Sequence, residues 1–131
     1  MNLIELFRHE TDVAAIPAGQ AVFRAGEPGN VMYVLISGTA DVMVGDVVVE
    51  RAEPGALLGE MALVEDAPYT ATVTAVSDCV LVPIDAARFH FLVQQTPYFA
   101  THMMKIMAER LRKMDLRLLE AQAQKQGRRP H

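Results

Sequence analysis

Residues 54–75 read PGALLGEMALVEDAPYTATVTA and hold the most informative pattern in the chain. Gly55 and Gly59 lack a Cβ atom, so they permit tight turns or a close approach of the backbone. A carboxylate and a short apolar run follow Gly59 and predict a helical turn, whose free N–H groups suit an anion. A loop then leads to residues 72–76, which are strongly β-forming. The stretch therefore predicts a concave ligand site between a short helix and a strand.

The same residues resemble the phosphate-binding cassette of the cyclic nucleotide-binding domain. The resemblance is carried by GEMAL at residues 59–63 and by APYTATV at residues 67–73. It implies that Glu60 binds the ribose 2′-hydroxyl and that backbone amides of the short helix hold the cyclic phosphate. Thr70 matches a small or hydroxyl residue of the family. The family has an arginine immediately before that position to neutralise the phosphate, and this chain has Tyr69 there.

The exchange of arginine for Tyr69 predicts weak binding of a cyclic nucleotide. Arginine donates two charge-assisted hydrogen bonds to an anion, whereas tyrosine donates one neutral bond or stacks. Losing a charged partner from a buried pair costs about 2–5 kcal/mol. That free energy weakens affinity by roughly 30-fold to several-thousand-fold. By family position, Arg51 and Arg110 are the nearest cations that could substitute.

The resemblance implies a ligand pocket formed by residues 55–72. Arg110 and Met114 are expected to contact the phosphate or the base, although Met114 is better explained by helix packing. Thr70 is explained equally well as the first residue of a strand. No cofactor is predicted, and the expected ligand is cAMP, cGMP or a nucleoside. The predicted ligand-binding residues are Val49, Gly59, Glu60, Met61, Ala62, Pro68, Tyr69, Thr70 and Ala71.

Length and composition indicate one globular domain. The chain has 131 residues, of which 51% are hydrophobic, and this suffices for a single core. No apolar run approaches the roughly 18 residues that a membrane span needs, and the first residues lack the basic region of a secretory signal. Cys79 is the only cysteine, which excludes an internal disulfide and a cysteine-rich metal site. The expected location is the cytoplasm.

The net charge of −4 conceals two halves of opposite sign. Residues 1–84 hold 12 acidic and 3 basic residues, and residues 85–131 hold 4 acidic and 9 basic residues. The basic residues alternate with acidic ones and accompany no recognition motif, so they are best explained as a solvated helix face and tail. Direct nucleic-acid binding is therefore not expected.

Short β-forming segments with glycines at their corners predict an antiparallel β roll, or jelly roll, with flanking helices. The domain is expected to span residues 1–126, with the roll over about 12–84, C-terminal helices over about 86–124 and a tail over 127–131. A short helix is predicted for Asn2 to His9. Predicted strands cover residues 21–24, 31–37, 39–44, 47–51, 72–76 and 78–84, and predicted helices begin at Ala86, after an Asp85 cap, and at Pro97.

The last predicted helix carries apolar residues at alternating spacings of three and four. This pattern is typical of a two-stranded coiled coil and extends beyond what one roll covers, so a parallel homodimer is predicted. Burial of all these residues within one chain is the alternative. The seam residues are Met104, Met107, Leu111, Met114, Leu118 and Ala121.

Two functions of different classes fit these patterns. The first is a small-molecule sensor in which a ligand in the pocket biases the angle of the long helix. The second is a dimerisation or protein-interaction module with a degenerate pocket and an unidentified protein partner. The effector domain of a Crp-like transcription regulator is a further alternative. No catalytic motif supports an enzyme.

Overall fold

The computed structural model describes residues 3–7 and 9–127, with side chains described as far as residue 124. This part of the chain forms eight short strands, which make two sheets, and four helices, the last of which is long. The predicted antiparallel β roll with flanking helices is confirmed. The elements are α1 (Leu3–Leu6), β1 (Ala14–Ile16), β2 (Ala21–Phe23), β3 (Val31–Ser37), β4 (Ala40–Val44), β5 (Val47–Ala52), β6 (Leu57–Leu58), α2 (Glu60–Glu65), β7 (Thr72–Ala75), β8 (Cys79–Asp85), α3 (Ala86–Gln95) and α4 (Pro97–Gly127).

The two sheets are wholly antiparallel and have the orders β1-β8-β3-β6 and β2-β7-β4-β5. The chain changes sheet repeatedly, so strands that are distant in sequence become neighbours. Gly45 opens the β4–β5 hairpin with a φ of 60°, a left-handed conformation that a two-residue hairpin turn requires. Residues 45 and 46 therefore form a two-residue turn between the predicted strands over residues 39–44 and 47–51.

The β3 strand has apolar side chains on both faces because both faces of its sheet are buried. Met32 and Val34 belong to a core cluster that includes residues of α1 and α4. Leu35 belongs to the other cluster, inside the roll, and Tyr33 packs against it. Because side chains alternate along a strand, a sheet buried on both faces needs a continuous apolar run. The sequence VMYVLI meets that need.

The C-terminal helices close one face of the roll. The Asp85 carboxylate accepts a hydrogen bond from the Arg88 backbone N–H at 2.8 Å, which confirms the predicted cap of α3. In α4, Phe99 and Met103 are buried in the helix-facing core. From residue 111 to residue 124 every residue of α4 is exposed, although Arg117 still donates a hydrogen bond to the Val49 carbonyl oxygen of β5, so the roll covers this half of the helix only in part.

Two strands were not predicted, and two helices have different ends. β1 and β6 contain three and two residues, and each depends on a partner strand far along the chain. The predicted first helix over Asn2 to His9 is described only as Leu3–Leu6, and residues 2 and 8 lie outside the described residues. The last helix continues to Gly127 rather than ending near residue 124, and the rest of the predicted tail lies outside the described residues. No helix in the described ranges is long and apolar enough to cross a membrane.

Candidate functional site

The start of α2 is shaped by a left-handed glycine. Gly59 precedes the helix with a φ of 79°, and a Cβ atom there would lie 2.9 Å from Cε1 of Tyr69. Asp66 ends the helix with a φ of 52°, and its N–H points to carbonyl oxygens of the last turn. These two turns set Glu60 as the first helical residue, with only 2% of its surface exposed.

Tyr69 follows the exposed Pro68, and its side chain is directed into the roll. The ring stacks on Phe23 with centroids 3.8 Å apart and an interplanar angle of 14°. The hydroxyl donates a hydrogen bond to the backbone carbonyl oxygen of Val31. Burial raises the pKa of the Tyr69 phenol, and the neighbouring Tyr33 adds to the increase. The residue is therefore a neutral donor whose single proton is already used.

Glu60 forms an ion pair with Arg110 of α4. Nη1 of Arg110 contacts Oε1 of Glu60, and Nη2 donates to the carbonyl oxygen of Leu57 at 2.7 Å. The same Nη2 lies 3.4 Å from Oε2 of Glu50 on β5. Oε1 of Glu60 is the atom that pairs with Arg110, and because a carboxylate oxygen has two lone pairs, it can accept one further hydrogen bond beside that contact. One guanidinium thus joins the long helix to the floor of the site.

A cavity of about 640 Å³ lies between the second sheet, α2 and α4. It brings together all the predicted ligand-binding residues except Pro68, which is exposed and lies outside the wall. Arg110 and Met114 also line it, as predicted. Whether these residues contact a ligand stays a prediction. The wall consists of Phe23, Val42, Val44, Val49, Glu50, Arg51, Leu57, Leu58, Gly59, Glu60, Met61, Ala62, Tyr69, Thr70, Ala71, Val73, Arg110, Lys113, Met114 and Arg117.

Arg51 and Arg110, the two cations that could substitute for a cassette arginine, each already have a carboxylate partner. Arg51 forms two hydrogen bonds to Asp41, at 2.9 and 3.2 Å, and Arg110 is held by Glu60. The hydrogen bond to Arg51 holds the pKa of Asp41 below its usual range. Neither guanidinium is therefore an unpaired charge for a phosphate.

Sequence reasoning missed several residues of the wall. Lys113 and Arg117 carried a usable signal, because they follow Arg110 by three and seven residues and so share its helix face. The sequence around Phe23 gives no signal that it belongs to the wall, because its stacking on Tyr69 joins residues 46 positions apart. Within the described residues, no three histidine, cysteine, aspartate or glutamate side chains are grouped as metal ligands.

Known proteins of the same architecture support one family. The cyclic nucleotide-binding domain profile matches residues 13–96. A cyclic nucleotide-gated potassium channel of Mesorhizobium japonicum is 34% identical over 108 residues, which are 82% of this chain and 30% of the channel.

Two solved structures resemble the fold. The catabolite activator protein of Thermus thermophilus superposes with a TM-score of 0.75 and 27% identity, over 84% of this chain and 54% of that one. A structure from work on a cyclic-GMP-dependent signalling pathway in bacterial phytopathogenesis superposes with a TM-score of 0.72 and 27% identity, over 86% of this chain and 95% of that one. The chain thus spans about a third of the channel and about half of the activator. Because the matched profile covers most of the roll and the whole cassette, the chain belongs to the cyclic nucleotide-binding domain family.

Proposed function

We propose that this domain is a small-molecule sensor that binds cAMP, cGMP or a related nucleoside weakly and relays binding through α4. The observation that carries the proposal is the arrangement of Tyr69. Its hydroxyl is used by Val31 and its ring is stacked on Phe23, so the cassette offers no cation to a cyclic phosphate. The sugar-binding carboxylate is nevertheless present and buried at Glu60.

The expected penalty follows from the missing guanidinium. Truncating one partner of a buried charged pair costs about 2–5 kcal/mol. Relative to an arginine-containing site, affinity for the cyclic phosphate should fall by roughly 30-fold to several-thousand-fold. A nucleoside loses nothing by the exchange, because it has no phosphate to neutralise.

Glu60 supports recognition of a sugar. Oε1 of Glu60 is buried, and its second lone pair beside Arg110 suits a hydroxyl donor. An incoming ribose hydroxyl would compete with Arg110 for this oxygen. Weakening that contact would loosen the connection between α4 and the floor of the cavity, which Arg110 also makes through Leu57. The ligand shifts α4 only by the difference in its affinity for the two helix positions.

The seam of α4 supports a homodimer. Met104, Leu111, Met114 and Leu118 are each 60–65% exposed, although all four are apolar. An uncovered apolar face at heptad spacing suits a second copy of the same helix. Met114 also lines the cavity, so a ligand and the partner helix would meet at one residue. This adjacency gives ligand binding a route to the dimer interface.

Sedimentation velocity tests the dimer with a matched pair of variants. Leu111→Glu with Leu118→Glu should give monomers, because two charges then face each other across the seam. Leu116→Glu with Leu119→Glu should leave the dimer intact, since these residues are 59% and 60% exposed but lie off the seam. Equal masses for the two double variants would disprove the seam.

A second candidate function is a dimerisation or protein-interaction module, including the effector domain of a Crp-like regulator, that binds no nucleotide. The Tyr69–Phe23 stack favours it, because aromatic rings occupy the anion-binding end of the cassette. In that case the exposed seam of α4, rather than a ligand, would carry the function.

Calorimetric titration with cAMP, cGMP and adenosine separates the two candidates. The sensor predicts weak saturable binding by the wild type and binding of cAMP at least about 30-fold tighter by Tyr69→Arg. Tyr69→Phe is the matched control, and its affinity should stay within about twofold because the hydroxyl is used by Val31. No heat from the wild type at millimolar ligand, with binding by Tyr69→Arg, would favour the interaction module. Circular dichroism would verify that each variant folds.

A further inference from the structure

We infer that Lys113 and Arg117 of α4 bind the phosphate of a nucleotide, so that the anion subsite lies on the helix wall rather than in the cassette. This inference rests on the proposed function, since it assumes a ligand whose sugar lies at Glu60. It assigns charge recognition to residues outside the cassette.

The cavity wall is cationic although the chain is not. Its four basic residues (Arg51, Arg110, Lys113 and Arg117) face two carboxylates, those of Glu50 and Glu60. The chain as a whole has a formal charge of −4. An excess of positive charge in a concave site of an acidic protein concentrates anions there. The wall therefore favours an anionic ligand even though Tyr69 is neutral.

The pairing of these charges identifies which are available. Arg51 is bound to Asp41, and Arg110 contacts Glu60 and Glu50. Among the described residues, Lys113 forms no hydrogen bond or ion pair, and Arg117 donates only to the Val49 carbonyl oxygen, at 3.3 Å. The two cations without a carboxylate partner both lie on α4.

The position of the two cations sets the orientation of the ligand. Lys113 and Arg117 follow Arg110 at helical spacing, so they continue the face that Arg110 directs at Glu60. A ligand with its sugar at Glu60 meets a neutral aromatic stack on the cassette side and cations on the α4 side. Its phosphate is therefore directed at α4.

The expected contribution of each cation is modest because both side chains are exposed. Ion pairs at exposed sites change affinity by about twofold to fivefold each. Together, Lys113 and Arg117 should strengthen binding of a nucleotide by about 4- to 25-fold over the variant without them. They should not change the affinity for a nucleoside.

Chemical-shift titrations with cAMP and adenosine test this assignment in the intact chain. In Lys113→Gln with Arg117→Gln, the dissociation constant for cAMP should rise about 4- to 25-fold, while that for adenosine stays the same. Arg112→Gln is the control, because Arg112 is an exposed cation of the same helix outside the cavity wall. Raising the salt concentration should weaken cAMP binding by the wild type and leave the double variant unaffected.

Equal cAMP affinity in the wild type and the double variant would overturn the helix-wall subsite and leave the proposed function intact. An equal loss for adenosine, or an equal loss in Arg112→Gln, would also overturn it, because those losses indicate a structural or long-range effect. A wild type that binds neither ligand would overturn the proposed function and this inference together, and that result appears before any variant is compared.

Discussion

Replacing Arg110 with methionine should destabilise the domain by about 3 kcal/mol. Methionine keeps much of the length of the side chain but removes the charge that faces Glu60, which is only 2% exposed. Breaking a buried ion pair by removing one partner costs about 3–5 kcal/mol. We use the lower end of that range because 29% of the Arg110 side chain is exposed. The hydrogen bond to Leu57 is lost as well.

Urea unfolding at pH 7 measures this cost and assigns it to the pair. Glu60→Gln in the Arg110→Met background removes the unpaired buried charge, so the double variant should recover about 2 kcal/mol relative to Arg110→Met. Arg112→Met, an exposed change on the same helix, should stay within about 0.5 kcal/mol of the wild type. The reasoning fails if Arg110→Met lowers the unfolding free energy no more than Arg112→Met does. It also fails if the effects of Arg110→Met and Glu60→Gln on the unfolding free energy are additive.

Three further predictions follow from local geometry. Gly59→Ala should lower the unfolding temperature more than Gly55→Ala does. Both glycines have a positive φ, but only a Cβ added at Gly59 meets a side chain, at 2.9 Å. Equal decreases in unfolding temperature would show that this contact has no effect. Cys79 is 1% exposed and burial raises its pKa, so it should react with a thiol reagent only when the domain opens, at a rate that rises with urea; rapid native labelling would contradict this. The hydrogen bond from Arg88 lowers the pKa of Glu10 from 4.5, so the stability that this bond adds is complete above pH 4.5 and is lost as pH falls through the lower folded-state pKa. In urea unfolding, the difference in unfolding free energy between the wild type and Arg88→Gln should therefore shrink on acidification. A difference that does not change with pH would disprove the coupling.

The elements that could be predicted from the sequence are those set by local rules. Residues 31–37 form a strand as predicted, because their apolar run serves a sheet buried on both faces. Residues 86–95 form a helix with the predicted Asp85 cap, which needs only the residues next to it. β1 and β6 could not be found in the same way, because such short strands exist only through hydrogen bonds to distant partners.

In the candidate site too, features set by neighbouring residues could be predicted from the sequence, and features set by distant contacts could not. The cassette could be recognised because its residues are close in sequence, and the structure brings the predicted ligand-binding residues other than Pro68 to one cavity wall. The sequence also identified the missing arginine at Tyr69. It could not reveal that Phe23 and Val31 hold the phenol, nor that Glu60 and Arg110 form a pair, because these contacts join distant parts of the chain.

The dissociation constant of the wild-type domain for cAMP tests the central claim most directly. With a neutral Tyr69 held by Val31 and Phe23, we expect a value of about 30 µM or weaker, which corresponds to a loss of roughly 30-fold or more from a site of about 1 µM. Saturable binding at low micromolar cAMP would contradict the account, because it would mean that Tyr69 in place of an arginine costs the site no affinity for the cyclic phosphate.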